Sequence, residues 1–411
     1  VTLSRSIIVP FLQFSPRRDL RRKAFEAWAA RGANGGPTDN RKIAAEILRL
    51  REERARLLGY RNFADYKLET EMAKTPEAVR DLLLSVWAPA RAQADADAAR
   101  LTEMLRADGV NGDLAPWDWR YYAEKRRVAE HDLDEAEIKP YFQLDKMIAA
   151  SIACAQRLFD LRFEPLDVPL YHEDCRPWEL TRHGKHLAVF IGDYFARLSI
   201  RSGAWCSAMS SQAKFPKEQR PVVVNVCIFA NGDPALLSYD DARTLFHEFG
   251  HALHQMLSDV TYESVSGTSV ARDFVELPSQ LFEHWLEVPE VLQEYAVHAD
   301  TGAPMPQELL DKVLAAATYD MGFQTVEYVA SALVDLAFHD GPAPTDPMQK
   351  QREVLASIGM PNAITMRHAT PHFAHVFAGD GYSSGYYSYM WSEVMDADAF
   401  EAFQEASGPF D

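Results

Sequence analysis

The sequence predicts a mainly α-helical protein with one small β-sheet near its middle. Three observations lead there. Apolar residues recur at spacings of three and four over much of the first 160 positions, the mark of amphipathic helices. Two runs, residues 186–194 (HLAVFIGDY) and 221–229 (PVVVNVCIF), are instead rich in β-branched and aromatic residues, with Gly, Pro and Asn breaks around them. After residue 238 the helical pattern returns and continues to the end, interrupted by Gly-rich loops at 266–268 and 378–385.

Taken in order, residues 40–58 (NRKIAAEILRLREERARLL) form the first clear helix, with Asp39 or Asn40 as its cap. Thr75-Pro76-Glu77 opens a long helix that runs toward Gly109, with a cap residue followed by proline in the first turn. Residues 142–160 read as another amphipathic helix. Between the two apolar runs, Ser202-Gly203-Ala204-Trp205 reads as a strand or turn. The expected division is a helical lobe over 1–165, incomplete at its N-terminus, and a second region over 166–411 that holds the sheet (186–229) and the C-terminal helices.

The 411 residues are 47% hydrophobic and 25% charged, enough to bury a large core. A net charge of −18 argues against nucleic acid and anionic membranes as partners, since both are negative. Cys154, Cys175, Cys206 and Cys227 are scattered and read as reduced intracellular thiols, not a disulfide framework. No apolar run approaches the roughly 20 residues a bilayer span needs, and no signal-peptide pattern opens the chain. The expected compartment is the cytoplasm, with the periplasm as the alternative. Both ends look cut: the chain starts at Val1 and stops at Asp411 directly after a helical segment.

The chemistry is concentrated in Leu245-Phe246-His247-Glu248-Phe249-Gly250-His251-Ala252-Leu253-His254. Ser238 and Asp241 have the spacing of a capping box just before it. Leu245, Phe249, Ala252, Leu253 and Met256 make the expected buried stripe, and the histidines lie on another face. His247 and His251 are four apart, hence one turn apart on one side of a helix, and neutral imidazole is a good zinc ligand. Glu248 is placed to reach a water at that metal. Glu276 is a third ligand of suitable type on a second predicted helix; its apolar neighbours Val275 and Leu277 suggest burial, and a buried carboxylate needs a cation. The expected cofactor is one Zn2+. Glu283, seven residues further on, is placed either to fix the tautomer of a ligand histidine or to make a surface ion pair. His254 is expected outside the ligand set. Chemistry then follows as metal-assisted peptide hydrolysis, with Glu248 as the general base.

A second unusual segment runs from His375 to Tyr389 (HVFAGDGYSSGYYSY). Its three glycines predict a mobile loop. Tyr386 and Tyr389 are expected on one face of the helix that follows, where phenol hydroxyls are neutral donors to an oxyanion.

Together these stretches resemble the thimet-oligopeptidase family of zinc metallopeptidases. The resemblance rests on FHEFGHALH (246–254), DFVELPSQLFEHW (273–285), RSGAW (201–205) and HVFAGDGYSSGYYSYMWSEV (375–394). It extends through NRKIAAEILRLREERARLLGY (40–60), EMAKTPEAV (71–79) and APWDWRYYAEKRR (115–127), and is greatest to the bacterial peptidyl-dipeptidase branch. It implies a zincin-like fold of two helical lobes around a deep channel with the small sheet near the active site. It implies His247, His251 and Glu276 as zinc ligands and Glu248 as base. His375, Tyr382, Tyr386 and Tyr389 would bind the substrate carbonyl and stabilise the transition state. The implied partners are oligopeptides, which would add to the sheet edge as a strand, and the missing N-terminal part of the same protein. Three readings follow: release of C-terminal dipeptides, internal cleavage as an oligopeptidase, or a non-catalytic peptide-binding fragment. The choice between the first two depends on a cation for the free carboxylate, for which Arg201, Lys214, Arg220 and Arg272 are candidates.

Overall fold

The computed structural model describes residues 3, 5–197, 199–200, 203–406 and 408–410. Arg201 and Ser202 lie outside this set, and with them part of the RSGAW motif and one carboxylate candidate. Contacts gather the chain into two compact units, Val1–Asp132 with Ala316–Trp391, and Leu133–Ala315 with Ser392–Asp411. These boundaries differ from the single division at residue 165 drawn from the sequence. Sequence reading cuts a chain where its pattern changes, whereas tertiary packing returns residues 316–391 to the first unit.

The first unit is built on a pair of helices, Pro76–Ala107 and Met321–His339. Thr75 caps the first through its hydroxyl, which accepts the Ala78 N–H at 3.2 Å, and Pro76 occupies the opening turn. Val79, Leu83, Trp87, Ala94, Leu101 and Leu105 are all buried, at spacings of four and seven that keep one face inward. Phe323, Val326, Val329, Ala330, Leu333 and Val334 share their core. Gly322 lets the two backbones meet, since a Cβ there would stand 2.9 Å from the Ala94 nitrogen. At the start of Pro116–His131 the buried Asp118 receives the Arg18 and Arg21 guanidinium groups at 2.7 and 3.0 Å. The helix expected at 40–58 spans Arg41–Leu57. Its cap position carries Asn40, whose amide instead donates to the Pro371 carbonyl at 2.8 Å.

The second unit holds a five-stranded sheet among its described residues: β1 (Arg162–Pro165), β2 (Arg176–Arg182), β3 (Lys185–Phe195), β4 (Trp205–Ser210) and β5 (Val222–Phe229). Their order is β1-β2-β3-β5-β4, with β3 and β5 parallel and every other pair antiparallel. The two runs expected from sequence are β3 and β5, the central strands. Both faces of that pair are covered, so apolar residues run nearly continuously along them. One face buries Ile191, Val224 and Val226 with Cys175. The other carries Phe190, whose ring meets Phe249 at 5.2 Å. β1 and β2 mix charged and apolar residues, which hid them from the pattern. β4 lies at the sheet edge, with Ser207, Ala208 and Met209 exposed. The expected helix at 142–160 spans Leu144–Phe159. Among the described residues, no helix is long and apolar enough to cross a membrane.

Candidate functional site

The helix Tyr239–Met256 forms for reasons written in its first turn. Ser238 accepts the Asp241 N–H at 3.1 Å, and Asp241 accepts the Ser238 N–H at 3.0 Å, which satisfies two orphan donors reciprocally. Asp240 and Asp241 also place negative charge at the positive end of the helix dipole. Ala242, Leu245, Phe246, Phe249, Leu253 and Met256 are buried. This fixes the rotation of the helix and leaves His247 and His251 on the remaining side.

Gly250 brings the third ligand up to them. A Cβ at this position would stand 2.6 Å from the Ser279 Cα and 2.7 Å from the Pro278 carbonyl oxygen. Only glycine lets the helix Leu277–Glu283 lie this close. Glu276 occupies the cap position of that helix, one residue before the helical span in which the sequence placed it. Its Oε2 stands 3.3 Å from His247 Nε2 and 3.1 Å from His251 Nε2.

Zinc bonds of about 2.0–2.2 Å in a tetrahedral arrangement require ligand atoms roughly 3.3 Å apart, so these distances fit the ion. The donor set fits as well. Among the described residues, His247, His251 and Glu276 alone offer three such atoms within 4.8 Å of one another. Glu276 is 2% exposed, and a buried carboxylate needs a cation. Burial opposes ionisation of Glu276, yet hydrogen bonds from His247 and His251 hold its pKa well below the usual carboxylate range. For His247, burial acts downward, but bonds to Glu276 and Glu283 carry its pKa well above the ordinary histidine value. A metal binding here would displace protons from this cluster.

Glu283 makes both of the contacts expected of it, one to a histidine and one in an ion pair. Its Oε1 lies 2.6 Å from His247 Nδ1, and its other oxygen accepts from Arg243. That bond places the ring proton on Nδ1 and leaves Nε2 to face Glu276. Glu248 is 6% exposed, and its Oε2 has no hydrogen-bond partner among the described residues. Burial raises its pKa above the usual glutamate value, against the lowering effect of His247 and His251. His254 stands outside the ligand cluster, with its pKa lowered by burial. Of the described carboxylate candidates, Lys214 pairs with Asp259 at 2.8 Å and Arg220 pairs with Glu218.

The other predicted residues come together in the first unit. His375 lies on the short helix Ala374–Phe377, with ring centroids 5.8, 5.2 and 6.2 Å from Tyr382, Tyr386 and Tyr389. Tyr382 stacks on Tyr389 at 5.4 Å with a 5° interplanar angle. The final helix starts at Ser388, so Tyr386 precedes it, contrary to the shared helix face expected from sequence. Turns through Gly385 bring Tyr386 and Tyr389 within 5.6 Å all the same. Tyr386 is 2% exposed, and burial pushes its phenol up to about 12, so the hydroxyl stays a donor at neutral pH.

Two neighbours escaped the sequence reading. Tyr328 donates its hydroxyl to the Tyr386 carbonyl at 2.7 Å and accepts the Met390 N–H at 3.1 Å. His368 lies 5.0 Å from the His375 ring and 5.7 Å from Tyr386. A cluster of histidines at 368, 372 and 375 was the available signal for His368; nothing local marks Tyr328.

The model for peptidase family M3 matches residues 11–411. Dipeptidyl carboxypeptidase of Escherichia coli (strain K12) is 38% identical over 402 residues, which cover 95% of this chain and 59% of that protein. Oligopeptidase A of the same strain is 36% identical over 423 residues, covering 98% and 62%. Organellar oligopeptidase A of Arabidopsis thaliana is 34% identical over 425 residues, covering 99% and 53%. This chain therefore spans little more than half the length of these relatives.

Proposed function

The chain belongs to peptidase family M3, and on that premise we propose that it is a zinc-dependent peptidase that releases C-terminal dipeptides from short oligopeptides. The observation that carries this reading is the approach of Glu276 Oε2 to both histidine Nε2 atoms, beside a buried Glu248 whose Oε2 has no hydrogen-bond partner among the described residues. His247, His251 and Glu276 would hold one Zn2+. Bound there, the ion supplies Lewis acidity to the attacking water and the scissile carbonyl. Glu248 is the general base: its carboxylate takes a proton from the water and passes it to the leaving amine. Its raised pKa suits both steps, because a weakly basic carboxylate would not hold the proton between them. Glu283 keeps the His247 ring in the tautomer that presents Nε2.

His375, Tyr382, Tyr386 and Tyr389 supply donors to the carbonyl oxygen as it gains charge. Tyr386 suits this because burial keeps its phenol protonated at neutral pH. Among the described residues β4 is the last strand at one side of the sheet, where an extended peptide is held as an added strand.

Similarity to a dipeptidyl carboxypeptidase supports exo-cleavage, and similarity to oligopeptidase A supports internal cleavage as the second reading. One oligopeptide, offered with a free and with an amidated C-terminus, separates them. Stepwise dipeptide release from the free form alone is the expected result. Equal cleavage of both moves the assignment to internal hydrolysis.

A further inference from the structure

The donors proposed for the substrate oxygen come from a segment that is irregular between Ala378 and Tyr387, and three buried side chains of the same unit hold it. Asp335, on the helix Met321–His339, is 1% exposed. It accepts the N–H of Ser384 at Oδ1 and of Tyr386 at Oδ2, both at 3.0 Å. Arg51, on the helix Arg41–Leu57, donates to the carbonyls of Val376 and Gly379 at 2.6 and 2.9 Å. His339, 2% exposed, joins the two. Its Nε2 stands 3.2 Å from the Arg51 guanidinium, and its Nδ1 lies 3.1 Å from Asp335 Oδ1 and 2.8 Å from the Asp335 carbonyl. A guanidinium can only donate, so Nε2 accepts and the ring proton is on Nδ1, directed at Asp335. Between the two clamps, Asp380 receives Arg54 at 3.0 Å and the Ser383 hydroxyl at 2.7 Å.

Burying an ionised carboxylate is unfavourable unless its acceptors are used, and packing alone would be served as well by an apolar side chain. Here both oxygens of Asp335 are directed to the loop, one of them to the amide of the donor tyrosine itself. Ser384, held next to it, has a φ of 54°, a conformation a serine seldom adopts without such support. Arg51 takes the start of the segment beside His375, and Asp335 takes its end.

We propose that Arg51, His339 and Asp335 form a positioning relay that fixes Tyr386, whose hydroxyl is the group positioned for transition-state binding. The relay acts through the loop, and the proposal rests on the peptidase reading given above. Asp335→Asn tests it, because the amide keeps the shape and one acceptor but turns an N–H donor toward one of the two loop amides. Hydrogen–deuterium exchange should show faster uptake across 380–387, with zinc content unchanged. With an oligopeptide substrate, kcat should fall by about 10- to 100-fold while KM stays within about twofold. In a Tyr386→Phe background the same substitution should cost less than about threefold, because no hydroxyl remains to be positioned. Arg51→Lys, which gives up one of the two carbonyl bonds, should show the same pattern at smaller amplitude. Unchanged uptake overturns the proposal, as do losses that multiply in the double variant. A wild-type chain that cleaves no peptide overturns the peptidase reading and the catalytic part of the relay together, while the uptake measurement separately decides whether the clamp exists.

Discussion

His247 and His251 stand one turn apart on a regular helix, whereas Tyr382 and Tyr386 sit on a backbone that is irregular from Ala378 until the last helix begins at Ser388. In the first region the helical repeat itself sets the spacing of the two histidines proposed as ligands, and a capping box with a buried apolar face sets their direction. In the second, no local repeat exists. Its rings are held by residues remote in sequence, Arg51, Tyr328 and Asp335, through bonds to the loop backbone. A metal triad tolerates little error in ligand placement and gains from a rigid element. Donors to a transient oxygen can be carried on a loop, provided that side chains from the core over-determine its path.

This contrast can be broken most severely at the triad. His251→Ala or Glu276→Ala should abolish stoichiometric zinc, read by metal analysis, and peptidase activity should fall on the order of 10⁴-fold or more. Glu248→Gln should leave zinc in place and lower kcat by about 10²- to 10⁴-fold; a variant as active as wild type would remove Glu248 from the mechanism. In the tyrosine segment, Tyr386→Phe should reduce kcat by about 10²-fold with no loss of metal. An unchanged kcat would leave that segment a structural cluster. Glu283→Gln should weaken zinc affinity by about 10- to 100-fold, since the His247 tautomer is then less firmly set. Competition with a chelator reads this.

Smaller effects separate the two regions by stability. Gly250→Ala forces backbone against backbone and should destabilise the chain by about 1–3 kcal/mol in denaturant unfolding, with weaker zinc binding because Glu276 moves away. A comparable loss without any change in zinc affinity would refute the role given to Gly250 in placing Glu276.

In the other unit, Asp320 is pushed up to about 7 by burial, despite the Trp119 indole N–H that it accepts at 3.0 Å. The folded chain therefore keeps that proton up to near neutrality, while the unfolded chain releases it near 3.8. Stability should fall as pH rises between these values, by less than about 1 kcal/mol per pH unit for this partly exposed group. Asp320→Asn should flatten that slope, and an unaltered slope would place the dependence elsewhere.

Much of the candidate metal centre was legible along the chain because its determinants are local. Ser238 and Asp241, the apolar stripe from Leu245 to Met256, and the four-residue histidine spacing each report on one helix. Glu276 was identifiable by type and by apolar neighbours, but its approach to the imidazoles depends on Gly250, whose purpose appears only when a second backbone lies against it. The sheet was half visible. β3 and β5 are covered on both faces and read as apolar runs, whereas β1 and β2 are partly exposed and mixed in composition. The glycines of 379–385 suggested mobility; what they did not reveal is that the backbone there is bonded to Arg51 at one end and Asp335 at the other.

Periodicity and capping act within a few residues, and so they marked the helices Arg41–Leu57, Pro76–Ala107, Leu144–Phe159 and Tyr239–Met256, the central strands and the histidine pair along the chain. Tertiary structure alone decided that residues 316–391 rejoin the first unit, that Glu276 closes on both histidines, and that Asp335 and Arg51 clamp the tyrosine segment. Those are contacts between residues tens to hundreds of positions apart, and no short-range pattern encodes which distant carboxylate or guanidinium will meet a given backbone amide.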